Sequence, residues 1–300
     1  MDTVRICGCK GVRTCLVCEL KYNILKPDLL QELKNKTCYV YCPYCDKAWP
    51  GWDIELYKKH PDHVGEAIDF PGVYIKLNFL TDNEADQLIK DLDESSWEPS
   101  QSGRRKQNYG PKCNFKKRRI QLGSFAGFPK CTKFVQDKFL TTPLLEDFKT
   151  IEQCSLEYDP NRGASIDPHI DDCWIWGERI VTVNVLSDSV LTMIPYNGPV
   201  TRYNLIDITK YSPVVKCAND VKFHDIQDMG QEIVRIPMPA KSLILLYNAA
   251  RYNWEHTVLR EDIRSRRVCL AYREFTPPYL PGGDRIDASN EILNKSTVFW

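Results

Sequence analysis

Residues 179–194 read RIVTVNVLSDSVLTMI and contain two strand-like segments separated by the polar pair Ser187 and Asp188. Val, Ile and Thr dominate both segments, and these residues favour β-strands. Further short strand-like segments occur before and after this stretch, namely CSLEY (154–158), EIVRIPM (232–238), SLILLY (242–247) and VCLAYR (268–273). Strands that follow one another without long helices between them are typical of an antiparallel double-sheet jelly roll. We therefore expect a mainly β core with flanking helices.

The chain of 300 residues is long enough for one large domain or for a core domain with a small appendage. Residues 71–80, PGVYIKLNFL, show the alternation of a strand, and residues 81–95 predict a helix with Thr81 as its N-cap. The segment before about Phe70 differs, because it is rich in Cys and His. We therefore divide the chain into an N-terminal segment, 1–66, and a main domain, 67–300.

The composition is that of an ordinary globular protein, with 43% hydrophobic and 27% charged residues. The formal net charge is zero, so any binding of nucleic acid must come from a local basic patch. No run of about 18 apolar residues and no signal-peptide-like stretch is present, so we expect no membrane contact. Thirteen cysteines without an export signal favour reduced thiols or metal ligands. We expect a cytoplasmic and nuclear protein.

The segment SIDPHIDD, residues 165–172, contains His169 and Asp171 two positions apart. Alternate side chains of a strand share a face, so this spacing directs an imidazole and a carboxylate into one cavity. His256, which follows the apolar segment SLILLY, is the natural third ligand. Two histidines and one carboxylate form the ligand set of non-haem Fe(II) oxygenases. The His-x-Asp pair alone is a weak signal, and a surface histidine beside Pro168 is the alternative interpretation. Asp172 is either a contact for a substrate cation or an ordinary turn residue.

Arg267 and Arg273 lie six positions apart in the strand RVCLAYR and therefore point to the same face. An inward-facing arginine is costly unless it meets an anion, such as the carboxylate of a co-substrate. We assign Arg267 to the distal carboxylate, and Arg273 to the near side of the site or to a structural ion pair. An edge strand with two solvent-facing arginines is the alternative.

Two groups of Cys and His residues predict zinc sites in the N-terminal segment. The first is the four-thiol set of Cys7, Cys9, Cys15 and Cys18. The second contains Cys42, Cys45, His60 and His63, although the spacing of its histidines is one residue short of the usual range. Pairing across the two sets, use of Cys38, or free thiols in a mobile tail are the alternatives.

Residues 101–119, QSGRRKQNYGPKCNFKKRR, form a basic segment whose Gly and Pro residues predict a loop rather than a helix. Eight Lys and Arg side chains occur over 104–119, with Tyr109 and Phe115 among them. Such a segment suits a substrate lid, where cations and aromatic rings would contact a nucleic acid or an acidic protein surface. A solvated charged loop is the alternative.

These motifs resemble the AlkB family of 2-oxoglutarate dioxygenases, whose pattern is His-x-Asp, a distant His, and then Arg-x5-Arg. The sequences ARYNWEH (250–256) and LSDSVLTM (186–193) also look like this family. The resemblance covers residues 68 to 280. The N-terminal CGCKGVRTCLVC and the basic segment narrow it to the AlkB homologue four subfamily. The family often has Asn at two positions that Leu156 and Cys269 occupy here.

The resemblance implies a double-stranded β-helix fold, Fe(II), 2-oxoglutarate bound in part by Tyr158, and oxidative removal of N-methyl groups. The subfamily is associated with monomethyl-lysine on actin, and a role on N6-methyladenine in DNA has been proposed. We therefore expect a demethylase that acts on a methylated protein such as actin. The alternatives are a nucleic-acid N-demethylase that holds DNA through residues 104–119, and a zinc-containing interaction protein without turnover.

Overall fold

Two seven-stranded sheets form the core of the protein in the computed structural model, which describes residues 5–215 and 230–300. In spatial order, sheet A contains β10 (Ile166–His169), β15 (Trp254–Val258), β12 (Ser189–Pro195), β13 (Ile233–Met238), β1 (Cys38–Cys42), β2 (Lys47–Pro50) and β3 (Ile68–Asp69). Sheet B contains β4 (Val73–Lys76), β14 (Ser242–Leu246), β11 (Trp176–Leu186), β16 (Arg267–Phe275), β9 (Glu152–Tyr158), β6 (Arg105–Tyr109) and β5 (Glu98–Pro99). A separate hairpin joins β7 (Lys112–Asn114) and β8 (Arg119–Gln121).

Helices flank the sheets and account for most of the remaining regular structure of the described residues. The α-helices are α1 (Leu16–Tyr22), α2 (Leu29–Lys34), α3 (Asp82–Glu94), α4 (Lys133–Phe139), α5 (Asn248–Tyr252) and α6 (Ile286–Lys295). Short 3₁₀ helices span Ile54–Lys59, Gln101–Gly103, Lys130–Thr132, Pro160–Arg162, Arg202–Lys210, Arg260–Asp262 and Pro277–Tyr279. Within 5–215 and 230–300, no helix is both long and apolar enough to span a membrane.

The alternation of side chains along the strands separates two apolar cores. One core fills the space between the sheets and includes Trp176, Met193 and Ile236. The other lies between sheet B and helices α3 and α4, and it includes Leu88 and Leu270. Every strand predicted from the central and C-terminal segments is present. Among the strands of the described residues, β1 and β13 form the one parallel pair. The expected mainly β fold with flanking helices is confirmed.

The prediction of a loop over residues 101–119 is wrong in part, because some of these residues form strands. Arg105–Tyr109 is strand β6, which pairs with β9 in sheet B, and β7 and β8 form a hairpin. The sequence of β6 has no apolar alternation, and polar contacts on its outward face hold it in the sheet instead. Arg105 binds Glu157 of β9, and Gln107 donates from its amide to the carbonyl of Leu92 at the end of α3. Polar contacts across the sheet, rather than local hydrophobicity, thus place this strand.

The N-terminal segment is part of sheet A. Strands β1 and β2 lie within residues 1–66, and β1 pairs with β13 of the main domain. Arg260 in turn makes a two-point ion pair with Glu19 of α1, at 2.9 Å for each contact. The boundary at 66/67 therefore does not coincide with a break in the sheet, and the division of the chain into two domains stays a prediction.

Helix α3 begins with a capping box, as the sequence predicts. The Thr81 hydroxyl accepts from the backbone N–H of Glu84, and the Glu84 carboxylate accepts from the backbone N–H of Thr81. We expect Thr81→Ala to lower the free energy of unfolding by about 1 kcal/mol, because one N–H at the helix start loses its partner. Urea unfolding measures this change. Thr201→Ala is the matched control, since the Thr201 hydroxyl caps no helix; an equal loss in both variants would contradict the role of the cap.

Candidate active site

Three side chains with the ligand set predicted from the sequence meet at the end of strand β10. His169 on β10 lies directly opposite His256 on β15, and the two rings are 4.2 Å apart between their centres. Asp171 follows β10 by two residues, and one ligand atom from each of the three residues lies within 4.8 Å of the other two. Neighbouring strands of sheet A thus bring His256 close to two residues that lie 85 or more positions before it in the chain.

The Asp171 carboxylate has one oxygen in an ion pair and one oxygen without a partner. Its Oδ1 accepts from Nε of Arg273 at 2.9 Å. Its Oδ2 is buried without a hydrogen-bond partner and lies 3.9 Å from Nε2 of His256. Burial raises the pKa of Asp171, but the positive charge of Arg273 outweighs it, so the pKa lies below its ordinary value. An ionised oxygen is therefore directed at the two imidazoles.

The surroundings of both histidines favour the protonation state that metal binding requires. Burial lowers the pKa of His169 and of His256 below the ordinary value, which favours neutral imidazole. Nδ1 of His169 lies 2.9 Å from the carbonyl oxygen of Asp167, to which it can only donate, so Nε2 keeps its lone pair. A backbone carbonyl that fixes the tautomer of a histidine is a usual feature of metal sites. The donor set as a whole therefore fits a divalent metal ion.

Arg273 binds two carboxylates of the protein. Besides Asp171, its Nη1 donates to Oε2 of Glu152 at 2.6 Å. Glu152 is the cross-strand partner of Arg273 on β9, so this second contact is fixed by the register of sheet B. Of the two roles expected for Arg273, the structure shows the structural ion pair, and contact with the co-substrate stays a prediction. A positioning role for the Asp171 carboxylate follows from this.

Arg267 is buried at the other end of the same strand face, and its surroundings differ from those of Arg273. Its Nε donates to Oδ1 of Asn184 at 2.8 Å, and its guanidinium carbon lies 4.7 Å from the centre of the Tyr158 ring. Its Nη1 has no hydrogen-bond partner, and no carboxylate of the described residues forms an ion pair with it. A buried cation without an anion is costly, so this position suits a carboxylate supplied by a ligand.

Asn184 is a residue of this site that reasoning from the sequence missed. Its Nδ2 donates to the carbonyl oxygens of Ser187, Met238 and Pro239, at 2.8, 2.8 and 3.1 Å. These three acceptors fix the orientation of the amide, so its oxygen must face Arg267. The available signal was an amide at an interior position of the apolar segment RIVTVNVLS. The role of Asn184 depends on its contact with Arg267 across the sheet, and no local sequence pattern predicts that contact.

The chain is 37% identical to alkB homolog 4 of Mus musculus, an alpha-ketoglutarate-dependent dioxygenase, over 98% of its own length and 94% of that protein. The human protein of the same name is also 37% identical, over 99% of this chain and 95% of that protein.

The chain belongs to the AlkB family of 2-oxoglutarate-dependent dioxygenases.

A more distant relative, named DNA N6-methyl adenine demethylase, from Caenorhabditis elegans, is 29% identical over 93% of this chain and 89% of that protein. A solved structure titled "The structure of OsALKBH1" aligns with 69% of this chain and 100% of its own, with a TM-score of 0.42 and 12% identity. No family model matches the chain. Membership of the family confirms the resemblance found in the sequence, and it identifies the protein as an enzyme that uses Fe(II) and 2-oxoglutarate.

Asp172, beside the metal triad, has a structural contact of its own. Its Oδ1 accepts from Nδ2 of Asn204 at 2.7 Å, and burial raises its pKa above the ordinary value. Asn204 has a positive φ of 54°, which this hydrogen bond helps to hold. Asp172 is thus neither fully solvated nor free, since it ties the 3₁₀ helix over Arg202–Lys210 to the edge of the site.

The structure also assembles both predicted Cys and His sets in the groupings expected from the sequence. In each set, one ligand atom from every member lies within 4.8 Å of the others: Cys7, Cys9, Cys15 and Cys18 in the first set, and Cys42, Cys45, His60 and His63 in the second. Nε2 of His63 is buried without a hydrogen-bond partner, which suits a metal ligand. Across the described residues, Cys38 belongs to neither set.

Arg273→Gln tests the ion pair that positions Asp171. We expect the free energy of unfolding of the metal-free protein to fall by about 3 kcal/mol, because Asp171 and Glu152 would remain as buried charges without a cation. Urea unfolding followed by Trp fluorescence measures the loss. Arg264→Gln is the matched control, because Arg264 is exposed, and we expect a change within about 0.5 kcal/mol. Equal stability of the two variants would refute the structural role of Arg273.

Proposed function

We propose that the protein is an oxidative N-demethylase in which His169, Asp171 and His256 hold Fe(II). The observation that carries this proposal is the partnerless Asp171 oxygen beside the His169 and His256 imidazoles, together with the buried Arg267 guanidinium, which no carboxylate of the described residues neutralises. Iron with 2-oxoglutarate, when bound, supplies the oxidation of the N-methyl group, which then leaves as formaldehyde. Two histidines and a carboxylate leave the remaining metal positions open for co-substrate and oxygen.

The side chains around the cavity have separate roles in this proposal. Arg267 takes the distal carboxylate of 2-oxoglutarate, with Tyr158 beside it, and Asn184 orients the guanidinium. Arg273 holds the Asp171 carboxylate in place. The protein thus supplies position and charge, while the metal and the co-substrate supply the oxidising power.

We propose monomethyl-lysine on a protein such as actin as the first substrate, on the strength of the resemblance to the AlkB homologue four subfamily. N6-methyladenine in DNA is the second candidate, and the name of the Caenorhabditis elegans relative supports it. A basic hairpin stands beside the site in either case. The Phe115 ring lies 6.3 Å from the ring of Trp174, and Arg118 binds Asp207 at 3.4 Å. Lys116 and Lys117 are exposed, which suits contact with an acidic partner or with phosphates.

We further propose that each of the two Cys and His sets holds one structural zinc ion. Four thiols in one set, and two thiols with two imidazoles in the other, are ligand sets of tetrahedral zinc. Cys9, Cys15 and Cys18 are almost fully buried, as expected of a closed structural site. The cytoplasmic and nuclear localisation stays a prediction.

Turnover assays test the proposed reaction and its substrate. With Fe(II), 2-oxoglutarate and oxygen, we expect equal amounts of succinate and formaldehyde from a monomethyl-lysine peptide. The His169→Ala variant should reduce both products to the level without enzyme, and Arg264→Gln should retain normal turnover. Duplex DNA with N6-methyladenine is assayed in parallel.

The pattern of products separates the candidates. Formaldehyde from DNA alone would move the assignment to the nucleic-acid substrate, and affinity for that DNA should then fall steeply with salt. No substrate-dependent succinate above the His169→Ala level with either substrate would refute the demethylase proposal and favour a non-catalytic zinc-containing interaction protein.

Metal analysis tests the proposed zinc sites. We expect about two zinc ions per chain in protein purified without added metal. Cys18→Ser should reduce this to about one and lower the melting temperature, because a structural zinc ion stabilises the folded chain that holds it. Cys131→Ser is the matched control, since this half-exposed thiol lies outside both sets. A fully folded preparation without zinc would overturn the proposal.

A further inference from the structure

Three side chains form a row across neighbouring strands of sheet B, namely Arg104, Tyr158 and Arg267. Arg267 on β16 is the cross-strand partner of Tyr158 on β9. Arg105 on β6 is the partner of Glu157, so Arg104, one residue earlier in this antiparallel pair, lies opposite Tyr158. Arg105 and Glu157 occupy the outward face, and Arg104 therefore occupies the inward face together with Tyr158 and Arg267.

Both guanidinium groups of this row lie near the Tyr158 ring. The guanidinium carbon of Arg267 is 4.7 Å from the centre of the ring, and that of Arg104 is 5.9 Å from it. Burial raises the pKa of Tyr158, and the charges of Arg104 and Arg267 both oppose this rise, which shows that both cations act on the same phenol. Two cations and one hydroxyl group thus converge at this end of the cavity.

The absence of an anion distinguishes this row from the arginines around it. Arg105, Arg266 and Arg273 each form an ion pair with at least one carboxylate. Within the part of the chain that the structure describes, neither Arg104 nor Arg267 forms one. Two like charges near one buried ring repel each other, and a carboxylate bound between them would offset that repulsion.

We infer that Arg104 is a second cation of the site that binds the distal carboxylate of 2-oxoglutarate, opposite Arg267. This inference rests on the proposed function, because it needs the co-substrate to occupy the cavity between Arg267 and the metal triad. A carboxylate has two oxygens, so one guanidinium can bind on each side, with the Tyr158 hydroxyl as a further donor.

The backbone that carries Arg104 is held firmly before the ligand arrives. Gly103 has a φ of +77°, and a Cβ at this position would lie 2.9 Å from Cβ of Cys15 and 2.9 Å from the carbonyl oxygen of Arg162. The Ser102 hydroxyl donates to Asp167 at 3.2 Å, and Nε of Arg104 donates to the carbonyl of Gln101 at 3.1 Å. The four-thiol set and strand β10 therefore fix the segment from both sides, which lowers the entropy cost of binding.

Calorimetric titration of the Fe(II)-loaded protein with 2-oxoglutarate, without oxygen, tests the inference. We expect Arg104→Gln to weaken 2-oxoglutarate binding by about tenfold, since one charge-assisted contact is lost. Arg104→Lys should recover part of the affinity, because the positive charge remains. Arg264→Gln, the exposed control, should bind as the unchanged protein does. Melting temperatures of all variants show whether each one is folded, and Arg104→Lys decides the question if Arg104→Gln is not.

Arg267→Gln separates failure of this inference from failure of the proposed function. Weaker binding in Arg267→Gln with unchanged binding in both Arg104 variants would refute the role of Arg104 alone. Unchanged binding in Arg267→Gln would refute the co-substrate site on which the inference rests. Normal affinity for 2-oxoglutarate in the Arg104 variants, together with a raised KM for the methylated substrate, would place Arg104 in the substrate site and overturn the inference.

Discussion

The ion pair between Arg273 and Asp171 links the two sheets at the functional site. Arg273 extends from β16 in sheet B, while Asp171 follows β10 at the edge of sheet A. Glu152 on the neighbouring strand β9 holds the guanidinium from its other side. A buried carboxylate is stable only when its charge is balanced, so the position of β16 sets where Asp171 can lie. This contact therefore positions the carboxylate of the triad, while the β10–β15 pairing positions the two histidines.

The two arginines on the inward face of β16 have different surroundings. Arg273 is neutralised by the protein itself, whereas Arg267 is surrounded by an amide, an aromatic ring and a thioether. An anion of the protein is therefore present beside Arg273, and none of the described carboxylates pairs with Arg267. In the proposed function, this asymmetry of charge would orient 2-oxoglutarate with its distal carboxylate at Arg267 and its keto-acid end towards the metal.

The N-terminal segment contributes to the site through Asp167, the residue whose carbonyl oxygen fixes the tautomer of His169. The Asp167 carboxylate accepts from Lys26 at 2.9 Å and from Ser102 at 3.2 Å. The Cys-rich segment and strand β10 are thus joined at the residue that orients a proposed iron ligand. A zinc ion in the first thiol set would stabilise one wall of the active site as well as the fold of its own segment.

The sequence by itself determined most strands of the central and C-terminal segments, the helix that begins after Thr81, the members of the metal triad and the two Cys and His sets. These features follow from local alternation and from short spacings, which strand and cap geometry convert directly into shared faces. Only the tertiary structure decided that β6 is a strand, that Arg273 binds Asp171 and Glu152, and that Asn184 orients Arg267. These outcomes depend on which strands are neighbours and in what register, and that pairing is a property of distant segments that no local pattern contains.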